Sequence, residues 1–152
     1  MKTIQMWTDG ACKGNPGPGG WCVHLRDEVD FNQPYCKTVS GNKVHTTNNE
    51  MEITAVLQGF NHLQIPCNVA VYSDSAWIIN GATKWIYDWV QNGWKTNSGK
   101  PIAYVDEWQK IYYLMQIHNV QWIKVQAHSG NILNEFVDKI ASDEASKLNG
   151  MT

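Results

Sequence analysis

One stretch constrains this 152-residue chain more than any other: Met6-Trp7-Thr8-Asp9-Gly10 and the glycine- and proline-dense run that follows it to Gly20. An apolar segment carries one carboxylate, Asp9, to what reads as its end. Gly10 breaks the strand, and Gly14-Asn15-Pro16-Gly17-Pro18-Gly19-Gly20 reads as a shaped loop, because proline holds φ and glycine permits positive φ. A carboxylate at a strand end, beside backbone that a ligand can approach closely, suits a metal ion or a phosphate. Taken alone, the same stretch is equally a hairpin turn with a solvated aspartate. Three further carboxylates, Glu52, Asp74 and Asp138, each fall where the chain can return to Asp9.

The rest of the chain supplies the frame. Alternation predicts strands over 2–9, 20–26 and 33–39, joined by the polar turn 27–30, an antiparallel meander. Thr47-Asn48-Asn49-Glu50 is a capping box, and Ile53, Val56, Leu57 and Phe60 recur behind it at helical spacing to about His62. Glu52 sits in the first turn, near the positive end of the helix dipole. A nearly continuous apolar run, 68–72, reads as a central strand that ends at Asp74. A short helix, 76–80, is punctuated by Gly81, and helical patterns over 84–115 break at Asn92-Gly93 and at 97–101. A strand over 119–126, a loop over 127–131 and a helix over 133–147 complete the chain. In the last helix Leu133, Phe136, Val137, Ile140 and Ala141 are predicted core positions, with Asn134 and Asp138 on one neighbouring face. The class is α/β: a five-stranded mixed sheet, three antiparallel strands and then parallel ones, flanked by helices, in one domain spanning 1–152. Right-handed crossovers place the strand ending at Asp74 parallel to the first, so both open toward the same ligand-binding side.

Composition sets outer limits. Forty-three per cent hydrophobic and seventeen per cent charged residues describe a folded domain rather than a disordered tail. The apolar runs are too short to span a membrane, and no signal-peptide core precedes the first strand. Four cysteines, at 12, 22, 36 and 67, form no Cys-x-x-Cys pair, which fits reduced thiols and a cytoplasmic location, with a disulfide or a zinc site as the second reading. A net charge of −2 is unusual for a phosphate-binding protein, but with four carboxylates committed to cations the rest of the chain carries +2.

The segments WTDGACKGNPGPGG, HTTNNEMEITAV, VYSDSAWI, WIYDWVQNGWKT, VDEWQ and QAHSG…NEFVDKIA, in that order, resemble the bacterial and phage-type type 1 ribonuclease H family (RNase HI) from residue 3 to about 147. The resemblance implies the ribonuclease H-like fold and an endonuclease that cuts the RNA strand of RNA–DNA hybrids, largely without sequence preference, leaving 5′-phosphate and 3′-hydroxyl ends. It implies two Mg²⁺ ions, with Mn²⁺ as a substitute, held by Asp9, Glu52, Asp74 and Asp138, and a proton-shuttling histidine at His128. Hybrid contacts are implied for Gly10, Cys12, Asn15, Thr47, Asn48 and Asn49. A basic protrusion over about 84–101 is implied to bring Trp85, Trp94 and Lys95, most of its tryptophans serving as scaffold. A monomer acting on the hybrid, with no membrane, is the expected working state.

This chain departs from that pattern in places. Val90-Gln91-Asn92 stands where many relatives carry a basic run, leaving Lys84, Lys95 and Lys100 against Asp88. His45 replaces a usual arginine and Tyr104 a usual asparagine, positions that help grip a DNA phosphate in relatives; Ala76 replaces a common glutamine. Weaker and more salt-sensitive hybrid binding is therefore expected. A related DNA-cutting nuclease and a non-catalytic hybrid-binding module are the alternative readings.

Overall fold

The computed structural model describes residues 1–27 and 36–148. Residues 28–30 of the predicted turn and 33–35 of the predicted third strand lie outside the described residues. The elements are β1 (Lys2–Cys12), β2 (Gly17–Asp27), β3 (Cys36–Thr46), α1 (Asn48–Asn61), β4 (Cys67–Ser73), α2 (Ala76–Asn80), a π-helical turn (Gly81–Trp85), α3 (Ile86–Gln91), α4 (Val105–Ile117), β5 (Asn119–Lys124) and α5 (Ile132–Lys147). The sheet order is β3-β2-β1-β4-β5. β1 pairs antiparallel with β2 and parallel with β4, so it is the strand at which the sheet changes sense. The predicted mixed sheet is the observed one.

That change of sense makes the opening at Asp9. The parallel ladder to β4 ends at Trp7↔Tyr72, whereas the antiparallel ladder to β2 runs on through Cys12↔Gly19. Gly10 therefore does not break the strand as its sequence suggests: β1 continues two residues past it, and Gly17 to Gly20 belong to β2. Asp9 lies beyond the last parallel pair, on the side where β4 has already turned away at Ser73. Ligands of open α/β sheets bind at such a switch point.

Two layers cover the sheet. The main core joins Ile4, Met6, Val23, Val69 and Val71 to Ile53, Val56 and Phe60 of α1 and Trp108 and Ile111 of α4. Each large side chain fully buried there contributes about 1.5–3 kcal/mol. On the other face Val137 and Ala141 of α5 pack against Trp7 and Cys22. This second core is small, and Phe136, predicted to belong to it, is 42% exposed and edge-on to His24 at 5.4 Å. The stripe α5 buries is thus narrower than the apolar spacing of its sequence.

Gly81, predicted to stop a helix, instead lies inside one at φ −59° and ψ −49°. A Cβ there would meet the Trp108 ring at 2.3 Å, so glycine is required by contact with α4. Tyr104, which opens α4, has φ 57° and ψ 40°. For a residue with a Cβ this left-handed backbone costs about 1–2 kcal/mol, offset here by what its side chain touches. No described helix is long and apolar enough to cross a membrane.

Candidate metal centre and nucleic-acid face

Asp9 from β1, Glu52 from α1 and Asp74 from the β4–α2 link each present a carboxylate oxygen, and these oxygens lie within 4.8 Å of one another. Asp9 and Glu52 are both 3% exposed. Glu52 is the fifth residue of α1, just past the first turn in which its sequence places it, and the helix delivers it by packing against β1: a Cβ on Gly10 would stand 2.5 Å from the Glu52 backbone nitrogen. Asp74 is fixed by its neighbours. The Ser73 hydroxyl accepts the Ser75 N–H at 3.1 Å, and the Ser75 hydroxyl caps α2 by accepting the Ile78 N–H at 3.2 Å. The Val125 N–H closes the other side onto the Ser73 carbonyl at 2.9 Å.

Three crowded acids resist ionising together. Burial, then the charges of Glu52 and Asp74, and then Asp138, hold the Asp9 carboxyl far above the usual carboxylate range. Burial first and Asp74 next push Glu52 upward as well. Glu52 Oε2 is buried with no hydrogen-bond partner among the described residues. An orphaned carboxylate oxygen facing two more carboxylates has the chemistry of a hard divalent cation's ligand set. Asp138, half-buried on α5, hydrogen-bonds the Asp9 carboxyl and adds its charge at Glu52, standing at the edge of the tight trio. Asn134, one turn earlier on α5, is 2% exposed; its shared face with Asp138 was legible in the spacing.

The predicted hybrid-contact residues gather around the N-terminus of α1. Asn15, on the β1–β2 turn, accepts the Asn48 N–H at 2.9 Å through Oδ1, so that turn is tied to the helix start carrying Asn48 and Asn49. The Cys12 thiol donates to the carbonyls of Gly17 and Thr46, and burial raises its pKa. It serves as a hydrogen-bonded strut that leaves the Gly10–Cys12 backbone in place. The capping box is half made: the Thr47 hydroxyl accepts the Glu50 N–H at 3.1 Å, but the Glu50 carboxylate turns to the Thr46 hydroxyl and to Lys43 Nζ at 2.9 Å. A further contact carries no sequence signal. Thr47 Oγ1 shares a short hydrogen bond with the Tyr104 hydroxyl, 57 residues away.

The remaining candidates separate. Trp85 (39% exposed), Asp88, Trp89 and Lys95 line one cleft of about 240 Å³. Trp94 packs edge-on to Tyr112 at 6.1 Å, against the main core. His128 is exposed on the β5–α5 loop at φ 55°, outside the carboxylate trio. Ser129 donates to the Gln126 carbonyl at 2.8 Å, and the Gly130 N–H to Glu135 at 3.2 Å, shaping the loop beneath it.

A mixed sheet that changes sense at one strand, with carboxylates gathered at that point, is the arrangement of an α/β protein with a candidate divalent-metal centre. The chain belongs to the RNase H family, whose profile matches residues 1–146. It is 44% identical over 147 residues to a ribonuclease H of Marinobacter nauticus, and 43% identical over 148 residues to one of Acetivibrio thermocellus, covering 97% of both chains in each case. Among solved structures it superposes on LC9-RNase H1, a type 1 RNase H with the type 2 active-site motif, with a TM-score of 0.85 at 29% identity over 97% of this chain and 74% of that one. LC11-RNase H1, solved with an RNA/DNA hybrid, shares the fold at TM-score 0.69 and 22% identity over 97% of this chain and 99% of that one.

Proposed function

We propose that this chain is a metal-dependent endoribonuclease that hydrolyses the RNA strand of RNA–DNA hybrids, largely independently of sequence, to 5′-phosphate and 3′-hydroxyl ends. The observation that carries the reading is the orphaned Glu52 Oε2 inside the Asp9–Glu52–Asp74 trio, which in family context is a cation site. Asp9, Glu52 and Asp74 would hold the ions, with Asp138 of α5 at the edge of the set. When bound, two Mg²⁺ ions, or Mn²⁺ in their place, supply Lewis-acid charge at the scissile phosphate and favour ionisation of the attacking water.

The chain's own groups do the rest. Water oxygen bonds to phosphorus as the bond to the 3′ oxygen breaks, and that oxygen leaves as the 3′-hydroxyl after gaining a proton. The His128 imidazole, exposed on the β5–α5 loop, exchanges protons at the reacting phosphate. Telling RNA from DNA rests on the 2′-hydroxyl, a donor and acceptor whose chemistry the amides of Asn15, Asn48 and Asn49 and the Gly10–Cys12 backbone match. Thr47 meets a phosphate of the DNA strand, and Trp85, Trp94 and Lys95 extend the grip along it. One domain acting as a monomer suffices for this, and four free thiols fit the reducing cytoplasm.

The test is cleavage of an end-labelled hybrid with Mg²⁺, beside duplex DNA and beside Asp9→Asn. Cutting confined to the RNA strand, and lost in the variant, supports the reading. A wild-type protein that binds the hybrid but cuts nothing in Mg²⁺ or Mn²⁺ overturns it.

A further inference from the structure

Three of the four carboxylates reach the centre past one indole. Trp7 and Tyr72 are the last pair of the parallel ladder between β1 and β4. Asp9 follows Trp7 by two residues, on the same face of β1, because side chains alternate along a strand. Asp74 follows Tyr72 by two residues, just beyond the end of β4. The two rings stack flat, with centroids 4.1 Å apart and planes within 4°. Trp7 also packs with Val137 and Ala141 of α5 in the second core. Val137 immediately precedes Asp138, whose side chain hydrogen-bonds the Asp9 carboxyl. Glu52 arrives from the opposite layer, on a helix locked into the main core by Ile53, Val56 and Phe60.

Because the parallel ladder stops at this pair, the stack is the last fixed spacing between β1 and β4 before the chain reaches Asp9 and Asp74. The indole has little room to yield. It is 7% exposed, held by Tyr72 and by α5, and its Nε1 donates to Gln5 Oε1 at 3.2 Å. Spacing decides which cation a set of carboxylates suits. Mg²⁺ demands near-octahedral oxygens at about 2.0–2.1 Å, whereas Ca²⁺ accepts them at about 2.3–2.6 Å in flexible arrangements. Ligands given slack therefore lose Mg²⁺ before they lose Ca²⁺.

We propose that Trp7, stacked on Tyr72, is a positioning residue for the metal centre: it holds Asp9, Asp74 and Asp138 at the spacing of a small divalent cation and so sets the preference for Mg²⁺ over Ca²⁺. The proposal rests on the metal-dependent reading above. Trp7 acts through the carboxylates that follow its contacts, so its loss loosens the set without removing a ligand.

The experiment titrates Mg²⁺ and Ca²⁺ by calorimetry, without nucleic acid, into the wild type, Tyr72→Phe, Tyr72→Leu, Trp7→Leu and the double variant Trp7→Leu/Tyr72→Leu. Tyr72 is half-buried, so Tyr72→Leu tests the stack without opening the core, and urea unfolding checks that each protein is folded. Tyr72→Phe keeps the ring and should keep both affinities. Tyr72→Leu and Trp7→Leu should each weaken Mg²⁺ by about 10-fold or more, the usual cost of losing support behind a metal ligand. Ca²⁺ should weaken by less than about threefold, given its tolerance of flexible ligands. Adding Tyr72→Leu to Trp7→Leu should cost Mg²⁺ nothing further, because the two rings act as one unit. In cleavage assays the loss should appear as a higher Mg²⁺ concentration for half-maximal rate. A merely structural stack would lower the urea midpoint and leave the ratio of the two affinities unmoved. Mg²⁺ affinity unchanged in Tyr72→Leu, or equal losses for both ions, overturns the proposal. A wild-type protein that binds neither ion overturns the metal-dependent reading and this inference with it, whereas wild-type binding that Tyr72→Leu and Trp7→Leu both share overturns this inference alone.

Discussion

Gly10 packs directly against Glu52: a methyl group on Gly10 would stand 2.5 Å from the Glu52 backbone nitrogen and 2.6 Å from the Met51 carbonyl carbon. Both obstacles are backbone in a helix whose body is locked in the core, so neither can swing aside. Gly10→Ala should therefore push the first turn of α1 off β1. The expected outcome is destabilisation of about 1–3 kcal/mol, the usual cost of overpacking, together with a loss of kcat larger than the loss of folded protein explains. Urea unfolding and steady-state cleavage on the same samples check both; a variant of wild-type stability and activity would show that the helix start is soft.

That contact also shows where a sequence runs out. Thr47 as cap and the spacing Ile53, Val56, Phe60 are local signals, and α1 forms where they place it. Asp74 was placed by a local signal, since it directly follows the end of β4, whereas Asp9, read as closing its strand, lies inside β1 three residues before Cys12. Gly10 and Gly81 were misread as breaks because glycine marks a turn and a close approach with the same letter. What distinguishes them here is a helix that arrives about forty residues later and a tryptophan 27 residues later. Tyr104 looked like a lost asparagine, and only the folded chain shows its hydroxyl on Thr47. Phe136 failed in the other direction, since its helical spacing was right but the sheet beneath α5 is covered too narrowly to bury it.

The carboxylate trio makes the metal-free protein sensitive to pH in an uncommon direction. Asp9 and Glu52 have folded-state pKa values above their unfolded ones. Their contribution to stability is then fully present below the unfolded carboxylate pKa of about 4 and is lost as pH rises through the folded values. Stability in EDTA should fall on going from weakly acid to alkaline pH. Mg²⁺ should remove that fall by giving the charges a partner, and at a hundred times its Kd it adds about 2.7 kcal/mol. Asp9→Asn should raise the melting temperature in EDTA at neutral pH while lowering kcat by about 10²–10³-fold or more. A variant both inactive and less stable in EDTA would mean that Asp9 is ionised and satisfied without metal.

His118 works with the opposite sign. It is 6% exposed, and its Nδ1 accepts the Cys67 N–H at 3.1 Å, which only the neutral ring can do. Burial lowers its pKa, so the stability it contributes is present above the unfolded value of about 6.5 and is lost as pH falls through the folded value. His118→Ala should cost about 1–3 kcal/mol at neutral pH by orphaning the Cys67 amide, and it should flatten part of the decline below pH 6.5. Some slope should persist, because His24 is also held low, by burial and then by Arg26. Urea midpoints across that range for both proteins test it, and parallel curves would assign the acid sensitivity elsewhere.

Hybrid binding should be weak, and its salt dependence shallow rather than steep. Each cation that meets a phosphate releases counterions, and the slope of log K against log salt grows by about 0.9 per contact on duplex DNA. The segment 84–101 offers Lys84, Lys95 and Lys100, which limits its share of the slope to about −3. The greater salt sensitivity expected from the sequence thus has the wrong sign: missing lysines cost affinity and salt dependence together. Asp88 lines the same cleft as Lys95 and opposes it. Lys95→Ala should flatten the slope by about one unit, and Asp88→Lys should steepen it while tightening binding at low salt. Anisotropy titrations from about 50 to 200 mM salt separate the cases, and a slope unmoved by either substitution would place the DNA strand away from this cleft.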